Sequence, residues 1–347
     1  MDINEIFKRA VEEKASDVHF VVGHPPIFRI DGKIQFKEKW PTISQEILEK
    51  MIDEIISDEQ KKRFLKNKDL DFSYDLEKVA RFRISIFQEK GKFSLAARII
   101  LPHIPTMEEI MMPEAAYQLA RKDRGLVLIT GPAGCGKSTS LAAMINLINQ
   151  ERNCRIITLE DPIEYVFPSI KSVIVQRELG TDMVSFAEGL KHIVRQDPNV
   201  IMVGEMRDLE TIASTITLAE TGHLVLATLH TPDAVQTINR LIDVFPAHQQ
   251  NQIRVQLSLS LNGVIAQKLL PKIGGGRIAA REVLINTHAV AHLIRENKIA
   301  QIRSILQTGA DVGMFTMDQD IKRLYKEKLI SKETAEKYMI TPERLDE

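Results

Sequence analysis

The feature of this sequence that most restricts its fold is a glycine-rich segment, residues 131–139, with the pattern GxxxxGK[ST]. It follows an apolar run, GLVLIT, and precedes a helical pattern, STSLAAMINLIN, so a buried strand leads through a tight loop into a helix. Such a loop surrounds phosphate with backbone N–H groups and a helix N-terminus. The alternative is a glycine-rich turn that only begins a helix, but the flanking strand and helix favour nucleotide binding.

This phosphate loop supplies the candidate residues for binding ATP with Mg²⁺. We expect Lys137 to reach the β- and γ-phosphates and the Ser138 hydroxyl to ligate Mg²⁺. Cys135 stands where a small residue is needed, and we interpret it as present for its size, with a redox sensor as the alternative. The predicted nucleotide-binding residues are Gly131, Pro132, Ala133, Gly134, Cys135, Gly136, Lys137, Ser138 and Thr139.

Two acidic clusters follow apolar strands, where open α/β sheets place their sites. The first, EDPIE, follows RIITL, and the second, GEMRD, follows VIMV. An acid at a strand end matches the Walker B arrangement, so Glu205 is expected in the Mg²⁺ shell, directly or through water. Glu164 is the candidate for polarising the attacking water, and the two roles are open to exchange. The alternative is solvated strand-end acids or helix N-caps, as we expect for Asp208.

Two histidines bracket the apolar strand HLVLATLH. His223 precedes this strand and His230 ends it. Each is a candidate for sensing the γ-phosphate or for relaying its state across a subunit boundary. The alternative is a packed or capping histidine.

Composition narrows the class of protein. The 46 basic and 47 acidic residues give a net charge of -1, so nothing indicates nucleic acid as a partner. The two cysteines, Cys135 and Cys154, exclude a disulfide framework and a four-cysteine zinc site. A reducing cytosol without zinc in the protein is therefore expected. No apolar run approaches the length of a membrane span.

The chain is long enough for two domains at 347 residues. Residues 1–100 mix helical spacing with alternating strands and indicate a small α+β domain. Prolines 102, 105 and 113 mark a linker over 101–113. In 114–347, apolar strands alternate with helices, which predicts an α/β domain with a largely parallel sheet and helices from about residue 287.

The motifs together resemble a known family. The phosphate loop, ITLEDPIEYVF, VGEMRDLETI and TGHLVLATLHT occur in the order typical of the secretion and type IV pilus ATPases. ASDVHF and RIDGKI are similar to the opening domain of that family. HLIREN, QTG and GMFTMDQ are similar to the C-terminal region of the pilus retraction ATPases. The resemblance covers essentially the whole chain.

The resemblance implies an N-terminal PAS-like domain, a RecA-like ATPase domain and a homo-hexameric ring with sites near subunit boundaries. By matching motif, Glu164 is the base, Glu205 the Walker B acid, and His223 and His230 belong to the histidine box. Three arginines resemble those that approach a neighbour's nucleotide, where they stabilise charge on the transferred phosphoryl group. These are Arg81, Arg83 and Arg98. The alternative for them is a solvated strand face.

The function implied is ATP-driven type IV pilus retraction, which underlies twitching motility, at the cytoplasmic face of the inner membrane with a platform protein as partner. One alternative is a pilus assembly or type II secretion ATPase, but those usually carry a four-cysteine zinc insertion and a longer N-terminal region. Another is a nucleotide-dependent DNA translocase, which needs a basic pore. A third is a nucleotide-binding scaffold without turnover, which the intact acids argue against.

Overall fold

The computed structural model describes residues 1–30, 32–76, 79–100 and 103–345. Two compact units are present, Met1–His103 with Pro162–Val166, and Ile104–Asp161 with Phe167–Glu347. Each unit buries its own hydrophobic cluster. The predicted linker over 101–113 stays a prediction, and its first two residues lie outside the described residues.

The first unit is a six-stranded sheet with three helices. The strands pair antiparallel throughout in the order β3-β2-β1-β6-β5-β4. Its elements are α1 (Ile3–Glu12), β1 (Asp17–Val21), β2 (Ile27–Ile30), β3 (Lys33–Phe36), α2 (Gln45–Asp53), α3 (Asp58–Asn67), β4 (Asp69–Leu76), β5 (Ala80–Glu89) and β6 (Lys92–Ile100).

Buried and less buried side chains alternate along β5, and this pattern shows which face of the sheet enters the core. Phe82, Ile84 and Ile86 are fully buried, whereas Arg83, between the first two, is exposed. Successive side chains of a strand point to opposite faces, so one face of β5 enters the core and the other carries its arginines. Phe7 of α1 stacks on Phe82 with ring centroids 4.3 Å apart. One face of this strand is therefore apolar and the other cationic.

The second unit contains a seven-stranded sheet in the order β13-β12-β7-β11-β10-β8-β9. All neighbours pair parallel except β12 with β13. Its elements are α4 (Glu114–Ala120), β7 (Gly125–Thr130), α5 (Lys137–Glu151), β8 (Arg155–Glu160), β9 (Val173–Glu178), α6 (Phe186–Ile193), β10 (Val200–Val203), α7 (Leu209–Glu220), β11 (Leu224–Leu229), α8 (Ala234–Asp243), α9 (Ala247–Ser260), β12 (Leu261–Pro271), β13 (Arg277–Ile285), α10 (His288–Arg295), α11 (Ile302–Thr308), α12 (Met317–Lys326) and α13 (Lys332–Tyr338).

The central strands of this sheet are apolar along their whole length. Every residue of β7, β10 and β11 is buried. Continuous apolar strands are typical of a parallel sheet covered on both faces, which confirms the predicted α/β class. Because β7, β11 and β10 are adjacent and parallel, the loops after their carboxyl ends meet at one edge.

The C-terminal helices pack partly on the β12–β13 hairpin. Leu270 and Ile278, from its two strands, share a cluster with Ile321 and Leu324 of α12. Helix α10 begins where the sequence predicts, with the side chain of Thr287 accepting a hydrogen bond from Val290 N–H. In the described part of the chain, no helix combines the length and the apolar character needed to span a membrane.

Candidate active site

The glycine-rich loop between β7 and α5 adopts a backbone that side chains disfavour. Gly131, Gly134 and Gly136 have φ of 140°, 72° and 89°. A Cβ atom on Gly131 would lie 2.3 Å from the carbonyl oxygen of Gln267, so this position is also closed sterically. Glycine therefore serves here both for the turn and for the close approach of β12. The loop ends at the N-terminus of a 15-residue helix, where N–H groups and the helix dipole favour an anion.

Lys137 lies over the loop that precedes it. Its Nζ donates to the carbonyl oxygens of Gly131 at 2.9 Å and Pro132 at 3.1 Å. It also lies 3.5 Å from Nδ1 of His230. The ammonium group is thus held at the mouth of the loop by neutral acceptors that a phosphate oxygen can replace.

Glu205 and His230 meet at the same edge of the sheet because they follow the neighbouring strands β10 and β11. Nε2 of His230 lies 2.9 Å from one carboxylate oxygen of Glu205, and Nη2 of Arg207 donates to the other at 2.7 Å. Burial raises the pKa of the Glu205 carboxyl. The bond from Arg207 and the charges of His230, Arg207 and Lys137 outweigh that effect and hold the pKa below its ordinary value. Glu205 is therefore a carboxylate at neutral pH.

His230 lies between the acid and the lysine. Its Nε2 faces the carboxylate of Glu205, which only accepts hydrogen bonds, and its Nδ1 faces Nζ of Lys137, which only donates them. The imidazole therefore stands between the phosphate-loop lysine and the strand-end acid.

Gln267 is a site residue that the motifs do not reveal. It lies in β12, is 1% exposed, accepts from Ser140 Oγ at 2.9 Å and donates to the carbonyl oxygen of Cys135 at 2.9 Å. One side-chain amide of β12 therefore holds both the phosphate loop and the first turn of α5. The only sequence signal is a polar residue inside the apolar run VIAQKLL.

Cys135 is enclosed within the loop. Its side chain is 3% exposed, and burial raises the pKa of its thiol. A neutral, buried thiol is a poor nucleophile, which favours the role of a small apolar filler over that of a redox sensor.

A cavity of about 400 Å³ lies beside the phosphate loop. Cys135, Gly136 and Thr139 form one side, and Glu109 and Met111 form part of another. Its size falls within the range of about 300–1,000 Å³ usual for small-molecule sites. A molecule with phosphates in the loop has room for its remaining portion here.

The donors present fit Mg²⁺. Ser138 lies in the first turn of α5 and offers a hydroxyl, and the Glu205 carboxylate lies at the same sheet edge. Both are oxygen donors, which Mg²⁺ prefers. The described residues contain no group of three or more His, Cys, Asp or Glu placed to hold a metal.

Comparison with known proteins identifies the family. Residues 1–341 match the model of the type II/IV secretion system protein family. The chain belongs to this family.

Two curated relatives and one solved structure define its place within the family. The type IV pilus retractation ATPase PilT of Pseudomonas aeruginosa is 45% identical over 343 residues, 99% of each chain. A twitching motility protein of Neisseria gonorrhoeae is 47% identical over 311 residues, 89% of this chain and 83% of the relative. A crystal structure of the pilus retraction motor PilT with ADP superposes with a TM-score of 0.94 at 45% identity, covering 100% and 99% of the two chains. The similarity confirms the predicted fold class, a RecA-like domain with a smaller N-terminal α+β domain.

The acidic segment EDPIE, which begins at the last residue of β8, belongs partly to each of the two units. Glu160 is buried, and its Oε1 accepts from Thr158 Oγ1 at 2.6 Å and from Gln176 Nε2 at 2.9 Å, so it has a structural role. Glu164 is exposed and lies in Pro162–Val166, which groups with the N-terminal unit. Its role toward the attacking water stays a prediction.

His223 is not brought to the phosphate loop of its own chain. It precedes β11, whereas the phosphate loop follows the parallel strand β7. The six residues of β11 place about 20 Å of strand between the two edges. The Nδ1–H of His223 donates to the carbonyl oxygen of Leu218 at 3.0 Å, which closes the end of α7. A role at a subunit boundary stays a prediction.

The three arginines lie on neighbouring strands of the N-terminal sheet. Arg83 stands opposite Arg98 across β5 and β6, and Arg81 shares the face of Arg83. Arg98 is 69% exposed and its Nε donates to Asp17 at 3.0 Å. One carboxylate therefore balances part of this cationic face, and the approach of these arginines to a neighbour's nucleotide stays a prediction.

Proposed function

We propose that this chain is a motor ATPase that hydrolyses ATP with Mg²⁺ to power retraction of type IV pili and twitching motility. The single observation that carries the chemistry is the connection from Lys137 through His230 to Glu205 at the mouth of the phosphate loop. Relatives named for pilus retraction and twitching motility, at 45% and 47% identity, support the biological role.

Nucleotide binding follows from the loop and its neighbouring cavity. The loop N–H groups and Lys137 bind the phosphates, and the cavity lined by Gly136, Thr139 and Met111 receives the nucleoside. Binding needs little rearrangement of the loop, because its three glycines already hold the open backbone.

Hydrolysis requires an ionised acid and an ordered water. Glu205 meets the first requirement, since its pKa lies below the ordinary value. Mg²⁺ bound with ATP would neutralise phosphate charge between Ser138 and Glu205. Glu164 is our candidate for orienting the attacking water, with Glu205 as the alternative. His230 would sense the terminal phosphate, because its Nδ1 lies 3.5 Å from Nζ of the lysine that binds that group.

Coupling to motion requires more than one subunit. We place six copies in a ring at the cytoplasmic face of the inner membrane, where they act on a platform protein at the pilus base. Arg81, Arg83 and Arg98 then approach the nucleotide of a neighbour. Nucleotide stabilises one arrangement through contacts that hydrolysis removes, so each cycle changes the arrangement.

Phosphate release by the purified protein tests the ATPase. Lys137→Ala and Glu205→Ala should abolish release because each removes a charge at the phosphates. Lys298→Ala and Glu333→Ala remove an exposed lysine and an exposed glutamate elsewhere on the second unit and serve as matched controls. Wild-type turnover in Glu205→Ala would show that Glu205 is not part of the active site. Loss of turnover in the control variants would show that the assay reports general damage to the protein.

Cell-surface filaments test the direction of the motor. Deletion of the gene should leave cells with excess pili that do not retract, and complementation with Glu205→Ala should not restore retraction. Bald cells after deletion would instead indicate pilus assembly.

A further inference from the structure

Arg281 is a buried charge that the proposed reaction does not use. It lies in β13 directly opposite Gln267 of β12, and it is 2% exposed. Opposed residues of an antiparallel pair share a face, so the two side chains lie beside each other. The Gln267 side chain donates to the phosphate loop, whereas the Arg281 side chain donates to the chain at residues 110 and 111.

The guanidinium group of Arg281 fastens a distant segment of chain. Nη1 donates to the carbonyl oxygen of Met111 and Nη2 to that of Ile110, both at 2.9 Å. Burial lowers the pKa of Arg281 to about 10, so it remains charged at neutral pH, and the charge of Asp320 favours that form. Asp320 is 4% exposed and accepts from the backbone N–H of Arg281 at 2.7 Å and from Arg323 Nε at 2.8 Å. The buried guanidinium group is thus directed at two carbonyl groups, and the nearby Asp320 charge offsets part of the cost of burying it.

The segment that Arg281 fastens is a short turn, residues 106–112. Thr106 and Glu109 cap one another, and Met112 N–H donates to the carbonyl oxygen of Met107 at 2.8 Å. Met111 has φ of 51°, a left-handed conformation that a side chain disfavours. A turn with this strain needs support from outside itself to keep its shape.

Gln267 and Arg281 both line the cavity beside the phosphate loop. Glu109, Ile110 and Met111 line it on the side that Arg281 holds, and Cys135 and Gly136 line it on the side that Gln267 holds. We propose that Arg281 is a positioning residue that sets the shape of the nucleoside half of the site by fixing the 106–112 turn. The inference rests on the proposed binding of ATP.

The position of Arg281 separates its effect from that of the phosphate loop. Loss of its two bonds frees the turn and opens one wall of the cavity, while the Gln267 bonds to the loop remain. Affinity for the nucleoside portion therefore falls and affinity for the phosphates is kept. In turnover, KM for ATP rises and kcat changes little, because the reacting groups are untouched.

Calorimetric titration of the full-length protein with ATP and with inorganic tripolyphosphate, each with Mg²⁺, tests this proposal. Arg281→Met should weaken ATP binding about tenfold, as expected for a misplaced site wall. Arg281→Lys keeps a charge but offers one donor group in place of the fork and should show a smaller loss. Tripolyphosphate affinity should stay within about twofold in both variants, since tripolyphosphate has no nucleoside and contacts only the phosphate loop. Arg121→Met, which removes a half-exposed arginine paired with Glu151, is the matched control.

The outcomes separate the inference from the function on which it rests. Unchanged ATP affinity in Arg281→Met overturns the proposal, and so does an equal loss for ATP and tripolyphosphate. If Arg281→Met does not fold, Arg281→Lys and Asp320→Asn carry the same comparison. Wild-type protein that binds neither ligand refutes the proposed function itself. Wild-type protein that binds both, with Arg281 variants that bind both equally well, refutes only the role of Arg281.

Discussion

Replacement of Gln267 by leucine should destabilise the second unit and weaken nucleotide binding together. The side chain is 1% exposed, and its amide makes two hydrogen bonds, to Ser140 and to the carbonyl group of Cys135. Leucine of similar size removes both and leaves a buried hydroxyl and a buried carbonyl group without these partners. Each such loss costs about 1–3 kcal/mol.

The expected total is about 2–3 kcal/mol, near the lower end of the range, because the Ser140 hydroxyl can turn to a helix carbonyl four residues earlier. Urea denaturation followed by circular dichroism, at fixed protein concentration and without nucleotide, measures this loss. Ser140→Ala is the matched control, since it removes one of the two bonds and leaves the bond to Cys135, and about 1 kcal/mol is expected.

The same variant should bind ATP less tightly, because the loop that holds the phosphates loses its attachment to β12. A Gln267→Leu protein with the denaturation midpoint and ATP affinity of the wild type would refute this reasoning. So would a Ser140→Ala variant as destabilised as Gln267→Leu, since that result would place the whole effect in one bond.

Three further predictions follow from other contacts. Gly131→Ala should abolish ATP binding in a titration, because alanine meets the carbonyl oxygen of Gln267 and disfavours a φ of 140°. Asp208→Ala should lower stability by about 0.5–2 kcal/mol in denaturation, since the Asp208 side chain accepts from Thr211 N–H at the start of α7. The pKa of Glu205 lies below its ordinary 4.5, so its contribution to stability is present above pH 4.5 and lost as the pH falls through the lowered pKa. The stability difference between wild type and Glu205→Gln should therefore shrink from pH 7 to pH 3, and a constant difference would contradict this.

The parts of the fold that the sequence predicts best are those with continuous apolar strands. β7 and β10 begin and end where expected, at Gly125–Thr130 and Val200–Val203, because buried parallel strands leave an unbroken apolar run between polar loops. Asp208 is confirmed as an N-cap, because an acid before a helical pattern has a local role that needs no tertiary information.

The strands that sequence analysis missed lack such a local pattern. β9 runs VIVQRE, an edge strand with mixed side chains, and most of its residues are only partly buried. β12 begins directly after α9, with Leu261 following Ser260 and no turn residues between them. Periodicity cannot separate a helix from a strand in such an apolar stretch, and the pairing of β12 with β7 decides the outcome.

The same distinction explains which candidate site residues the motifs reveal. Glycines with positive φ and acids at strand ends have unusual local requirements, so Gly131, Lys137 and Glu205 stand out in the sequence. Gln267 and Arg281 have ordinary local conformations, and their importance comes only from the register that places them side by side. The residues of the candidate phosphate site can therefore be predicted from motifs, whereas the residues that hold them in place can be identified only from the sheet.

This arrangement gives the β12–β13 hairpin a specific place in the proposed cycle. The hairpin reaches the phosphate loop through Gln267 and the 106–112 turn through Arg281, while its outer strand contacts α12 through Asp320. Nine antiparallel residue pairs join the two strands between these contacts. The hairpin therefore connects the phosphate loop with α12 through contacts that include neither Glu205 nor His230.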